Sequence, residues 1–139
     1  MKVVLDTNCF ISCIGKQSLY RNVFDAFLQK RYILCISSEI LLEYEEKFLE
    51  FWGPDVTTNL LGTLLTASNL SLHSIFYNFL LVHGDADDDK FADTYLSSNA
   101  DYLISNDTKL LALKKLIFPP VKVITLQEFS GLLNTGFTT

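Results

Sequence analysis

The chain has 139 residues, one domain's worth, with 49% hydrophobic and 19% charged residues, which excludes a disordered or low-complexity protein. Its formal net charge of −5 argues against a plain nucleic-acid binder with a basic face. The charge is compatible with a metal-dependent nuclease, where acids sit in a pocket and cations offset them. No apolar run approaches the roughly 18 residues of a membrane span, and Asp6 comes too early for a signal-peptide core. The expectation is one globular domain over residues 1–139, cytoplasmic and without membrane association.

In chain order, Lys2 to Asp6 ("KVVLD") is a short apolar run ending in a carboxylate, as a buried parallel strand would. Leu19, Val23, Phe24, Phe27 and Leu28 recur at helical spacing between Leu19 and Lys30. Tyr32–Ser37 reads as a second strand. Either Ser37 or Ser38 can cap the helix "EILLEYEEKFLEFW" that follows. Pro54 opens a further helical segment to about Ala67. Leu70–Val82 fits a strand, a short helix or packed loop. A helix from about Asp88 to Ser98, the strand "DYLISN", and a helix from about Thr108 to Leu116 come next. The strand "VKVITL" and the short helix "QEFSGLL" complete the set.

The three cysteines form no CxxC pair, and no histidine near Cys9 and Cys13 completes a zinc spacing. They read as buried free thiols. A mean hydropathy of +0.25 points to surface that a partner covers.

Strands alternating with helices predict a parallel sheet covered on both faces, with ligands beyond the carboxyl ends of the strands. Asp6 ends the first strand and Asp107 ends a later one, so both emerge at that edge. Helices running back along the sheet start there too. This places Asp88 and Asp89 in a first turn, where the helix dipole favours carboxylates, and Glu43 in a second turn. Converging hard oxygen donors suit Mg²⁺ or Mn²⁺. Each acid also has a plainer role: Asp6 and Asp107 as helix caps, Glu43 on a solvated stripe with Glu39, Lys47 and Glu50, and Asp85, Asp87 and Asp93 as solvated or capping groups. The buried face of that helix is expected to be Ile40, Leu41, Tyr44, Phe48 and Phe51. An EF-hand is excluded, because Lys90 and Leu96 stand where the loop needs glycine and glutamate. No glycine-rich phosphate loop or Ser/Cys–His arrangement is present.

The strand leading to "LDTN", the helix carrying Glu43 in "SSEILLEY", then "DADDDKFAD" and "NADYLISND", together resemble the PIN-domain family, and within it the toxins of toxin–antitoxin pairs. The resemblance runs from Lys2 to about Phe129. It implies a three-layer α/β/α sandwich with a five-stranded parallel sheet. It also implies an Mg²⁺- or Mn²⁺-dependent endoribonuclease that hydrolyses RNA phosphodiesters with a metal-activated water, held inactive by an antitoxin. Asp6, Glu43, Asp88 and Asp107 match the family's metal-holding acids, and Asn8 its small polar residue. Asp88 lies three residues before Phe91, as that helix start requires, with Asp89 the alternative one position on. Tyr95 stands where the family usually carries a small residue, which implies a helix displaced outward from the sheet.

Lys30–Arg31, Lys114–Lys115 and Lys109 are the cations that could guide RNA, although solvated helix ends explain them as well. Phe48, Phe51 and Trp52 are too many for one helix end to bury, which points to a homodimer or antitoxin interface. The competing reading is a catalytically silent scaffold of the same shape that binds RNA or protein. A receiver domain is the poorer version of it, because "LDTN" offers one acid where a receiver needs a pair.

Overall fold

The computed structural model describes residues 1–75, 78–82 and 86–135, with residues 86 and 87 described by backbone alone. Asp85 and His83, and the side chain of Asp87, lie outside the described residues. Five strands, β1 (Lys2–Leu5), β2 (Ile33–Ile36), β3 (Leu70–Leu72), β4 (Tyr102–Ile104) and β5 (Val123–Ile124), form one sheet in the order β3-β2-β1-β4-β5. Every pairing is parallel. Connections β1→β2→β3 run one way across the sheet, and β3→β4→β5 run the other. With right-handed crossovers, that reversal puts helices on both faces, giving the expected three layers.

The central strand β1 buries Val3, Val4 and Leu5 completely, as a strand covered on both faces must. Helix α1 (Thr7–Ile14) follows at once, capped by the Asp6 carboxylate, which accepts the Cys9 N–H at 2.8 Å. The sequence pattern predicts no such helix, although Cys9, Phe10, Cys13 and Ile14 form its buried face. Helix α2 (Arg21–Leu28) is shorter than expected. Val23, Phe24 and Phe27 are buried, but Leu19 precedes the helix and is exposed, and Leu28 is exposed too.

Helix α3 (Ser38–Thr66) is capped by Ser37, whose hydroxyl accepts the Ile40 N–H. It is really two helices bent at Gly53, where φ is 79° and ψ is 179°, just before Pro54. Ile40, Tyr44 and Phe48 are buried as expected, Leu41 is half-buried, and Phe51 is exposed, because the face turns away from the core at the bend. Helix α4 (Ala86–Ser98) lies on β1, β2 and β4. Ala92 and Tyr95 are buried beneath it, and the Tyr95 hydroxyl accepts the Lys122 N–H beside β5. The large ring is buried between the helix and the sheet, with its hydroxyl anchored beside β5.

Helix α5 (Thr108–Leu111) passes into a 3-10 turn, Ala112–Lys115, and α6 (Leu126–Asn134) starts at a capping box of Thr125 and Glu128. Helix α2 packs on both α1 and α6. Cys9, Cys13 and Cys35 are all buried and unbridged, as expected. Burial pushes the Cys13 thiol up to about 12 and the Cys9 thiol higher still, so neither offers a thiolate. No helix among the described residues is long and apolar enough to cross a membrane.

Candidate functional site

The sheet reverses direction between β1 and β4, and in open parallel sheets ligands bind in the crevice outside that point. Leu5 pairs with Ile104 in parallel register, so the next residues, Asp6 and Ser105, sit side by side at the carboxyl edge. The Ser105 hydroxyl donates to Asp6 Oδ2 and itself accepts the Asp107 N–H at 2.9 Å. Asp6 Oδ1 caps α1, while Asp107 Oδ1 caps α5 by accepting the Lys109 N–H at 2.8 Å. The capping roles read from the sequence are therefore real. A carboxylate has about four lone-pair sites, so capping fixes each rotamer and still leaves acceptors for a ligand.

Asp6 is buried, and burial raises its carboxyl above the ordinary range, with the nearby Asp107 charge adding to the rise. Asp6, Asn8, Cys9, Ser12, Asn106 and Asp107 line a cleft of about 200 Å³. Its polar side chains are oxygen donors, and the one sulfur is a buried protonated thiol. That donor chemistry fits a hard divalent cation and not zinc.

Glu43 stands to one side. The Tyr44 hydroxyl donates to the Leu5 carbonyl at 2.6 Å, which fixes the rotation of α3 against the end of β1. The neighbouring Glu43 Oε2 then accepts the Thr7 hydroxyl at 2.6 Å and lies 3.3 Å from Lys90 Nζ. Glu43 is thus one residue's breadth from Asp6, through Thr7, but is paired with a lysine that the sequence pattern did not single out. Glu39, Leu42, Glu43, Glu46 and Lys90 line a second cleft of about 280 Å³.

On α4, Asp88 is half-buried in the first turn. Asp89 is buried and accepts the Val82 N–H at 2.8 Å; one turn on, Asp93 is buried and accepts the Phe79 N–H at 2.9 Å. Asp93 caps loop backbone and is not solvated. Among the described residues, no three acidic, histidine or cysteine side chains gather closely enough to hold a metal ion. The structure brings Asp6, Asn8 and Asp107 to one cleft and places Glu43 and Asp88 outside its lining.

The all-parallel sheet with a cleft at its reversal point defines an α/β protein of the PIN type. A family model described as PIN domain matches residues 2–109, and the chain belongs to that family. The fold is similar to that in the crystal structure of VapBC2 from Rickettsia felis bound to a DNA fragment from their promoter. There the TM-score is 0.63 at 20% identity, with 90% of this chain and 98% of that one covered. It is also similar to DNA-bound VapBC from Salmonella typhimurium, with a TM-score of 0.56 at 17% identity, covering 91% of this chain and 98% of that one. No curated protein sequence matches the chain significantly.

Proposed function

We propose that this protein is a metal-dependent endoribonuclease of the toxin type, cutting RNA phosphodiesters with Mg²⁺ or Mn²⁺. The observation that carries the reading is the meeting of Asp6 and Asp107 in an oxygen-lined cleft at the point where the sheet reverses. Asp6 and Asp107 would hold the ion. Magnesium commonly keeps several waters and takes only one or two carboxylates, so this pair suffices as its protein ligands. Glu43 and Asp88 would add negative charge around it, with Asp89 the alternative to Asp88 one position on. The exposed amide of Asn8 would orient a water or a phosphate oxygen at the cleft's rim. A bound ion would lower the pKa of a water and offset charge developing on a phosphoryl oxygen.

A protein partner is part of the same reading. The similar chains come from VapBC assemblies, and the exposed apolar residues of α3 described below give an antitoxin or a second copy a surface to cover. A labelled RNA pool incubated with the purified protein in Mn²⁺, Mg²⁺ or chelator, beside Asp6→Asn, tests the activity. Cleavage should need metal and fall by a hundredfold or more in the variant, since losing even an outer partner of a metal ligand costs about 10–100-fold. No cleavage, or equal cleavage by the variant, would leave the silent scaffold, the reading that the Lys90–Glu43 pairing favours.

A further inference from the structure

We infer that the tip of the β4–β5 connection is a stacking platform for single-stranded RNA, joined to the cleft by a stripe of lysines. This rests on the nuclease reading above and says where the uncut part of the substrate lies. Residues 108–127 hold four of the chain's eleven lysines and arginines and no acid, in a protein of net charge −5. Because β5 runs parallel to β4, α5 and the 3-10 turn must carry the chain from the carboxyl edge back towards the amino edge. They cover at most about 14 Å, roughly the length of four stacked nucleotides. Lys109, Ala112 and Lys115 are exposed at three-residue intervals, which places them on one side of that path. The stripe begins two residues after Asp107. Lys114 is close to Glu128, so its charge counts for less.

The tip presents a ring. Leu116 packs against the core and Val121 is buried, so the loop is anchored on both sides. The Lys122 N–H is held by the Tyr95 hydroxyl at 3.1 Å. Between these anchors Ile117 is 95% and Phe118 86% exposed, the two most exposed large apolar side chains among the described residues. Pro119 and Pro120 follow, and their fixed φ reduces the freedom the loop loses on binding. Lys115 and Lys122 flank the ring, both exposed. An aromatic face beside ammonium groups suits an unpaired base and its phosphates, whatever the base. Two apolar side chains are too little to hold a chain at a bilayer, and a lipid surface has no use for lysines that run on to the cleft.

The test is binding of a labelled single-stranded RNA of mixed sequence, and of an RNA duplex of equal length, in chelator across a salt series. Wild type should bind the single strand and prefer it to the duplex. Phe118→Ala should weaken binding about fivefold or more with an unchanged salt slope, and Phe118→Tyr should restore it. Lys115→Gln combined with Lys122→Gln should flatten the slope of log affinity on log salt by about 1.4. All three positions are exposed, and far-UV circular dichroism checks that the variants fold. No binding of the single strand, equal binding by Phe118→Ala, or a preference for the duplex would overturn the platform. Binding to phosphatidylglycerol vesicles that Phe118→Ala abolishes, with RNA binding untouched, would assign the tip to a membrane instead. In Mn²⁺, Phe118→Ala should raise KM for a long RNA and keep kcat, and a lower kcat at unchanged KM would also overturn the platform. RNA bound but not cleaved by wild type would instead overturn the nuclease reading and leave the platform standing, so the two failures are separable.

Discussion

At the scale of single residues, α4 spends two of its acids on architecture. Asp89 and Asp93 are a turn apart and hold the backbone N–H groups of Val82 and Phe79, so together they clamp residues 78–82 against the helix. Burial raises the Asp93 carboxyl, with Asp89 and Glu39 pushing the same way, while the Phe79 N–H opposes the rise. An acid whose folded pKa exceeds its unfolded one binds its proton more tightly in the native state. Stability from this group is therefore full in acid and declines as pH rises from the unfolded pKa through the folded one. Asp93→Asn keeps an oxygen to accept from Phe79 and removes the charge. It should match wild type near pH 3 and exceed it in thermal stability at pH 7. A variant that matches wild type near pH 3 but is less stable at pH 7 would show that the carboxylate form, not only its oxygen, is needed.

At the scale of elements, the bend in α3 sets where the long helix leaves the core. Gly53 takes φ 79° with ψ 179°, a region essentially confined to glycine, although a Cβ there would meet open space. Gly62, further along the same helix, also has open space where a methyl would sit, but it carries no such backbone demand. Gly53→Ala should therefore cost about 1–3 kcal/mol, while Gly62→Ala should gain about 0.5–1 kcal/mol by removing unfolded-state freedom. Urea denaturation of the two variants checks the contrast, and equal effects would put the strain elsewhere.

The same elements show what the sequence could reveal. Strands β1, β2 and β4 were legible because three-layer burial leaves nearly continuous apolar runs, and Asp6 and Asp107 were legible because they follow such runs. Helix α1 was not, since an eight-residue helix with Asn8 and Ser12 on its outer face carries too few apolar repeats to establish a period. Its one local signal was Asp6 three residues before Cys9, the spacing of an N-cap. Lys90 escaped for a different reason. Periodicity assigns a residue to a face of its own helix, whereas its partner Glu43 is on another helix and is met only through the tertiary fold.

At the scale of the whole molecule, the acidic centre is bordered by apolar surface that no described element covers. Phe10, Phe48, Trp52 and Phe51 form a run of ring contacts from the core outward, with centroids 5.9–6.1 Å apart along it, ending in Phe51 at 60% exposure. Ile11, Gly15, Phe51 and Trp52 border a shallow groove of about 630 Å³ between α1 and α3, and its lining shares Asn8 and Ser12 with the Asp6–Asp107 cleft. Leu42, Leu49 and Val56, at seven-residue intervals on α3, are exposed as well. The apolar rim of that groove, with Ile11, Phe51 and Trp52, marks a protein interface, and its place beside the cleft means that whatever covers it also borders the site. In the purified chain the available occupant is a second copy. Sedimentation equilibrium at tens of micromolar should therefore report a dimer, and Phe51→Glu should return it to monomer. Because Phe51 is exposed in the single chain, the variant's folding stability at dilution should stay within about 0.5 kcal/mol of wild type. A chain that remains monomeric at the highest concentrations would assign the groove to a different protein, whereas a dimer indifferent to Phe51→Glu would place the self-association on another face.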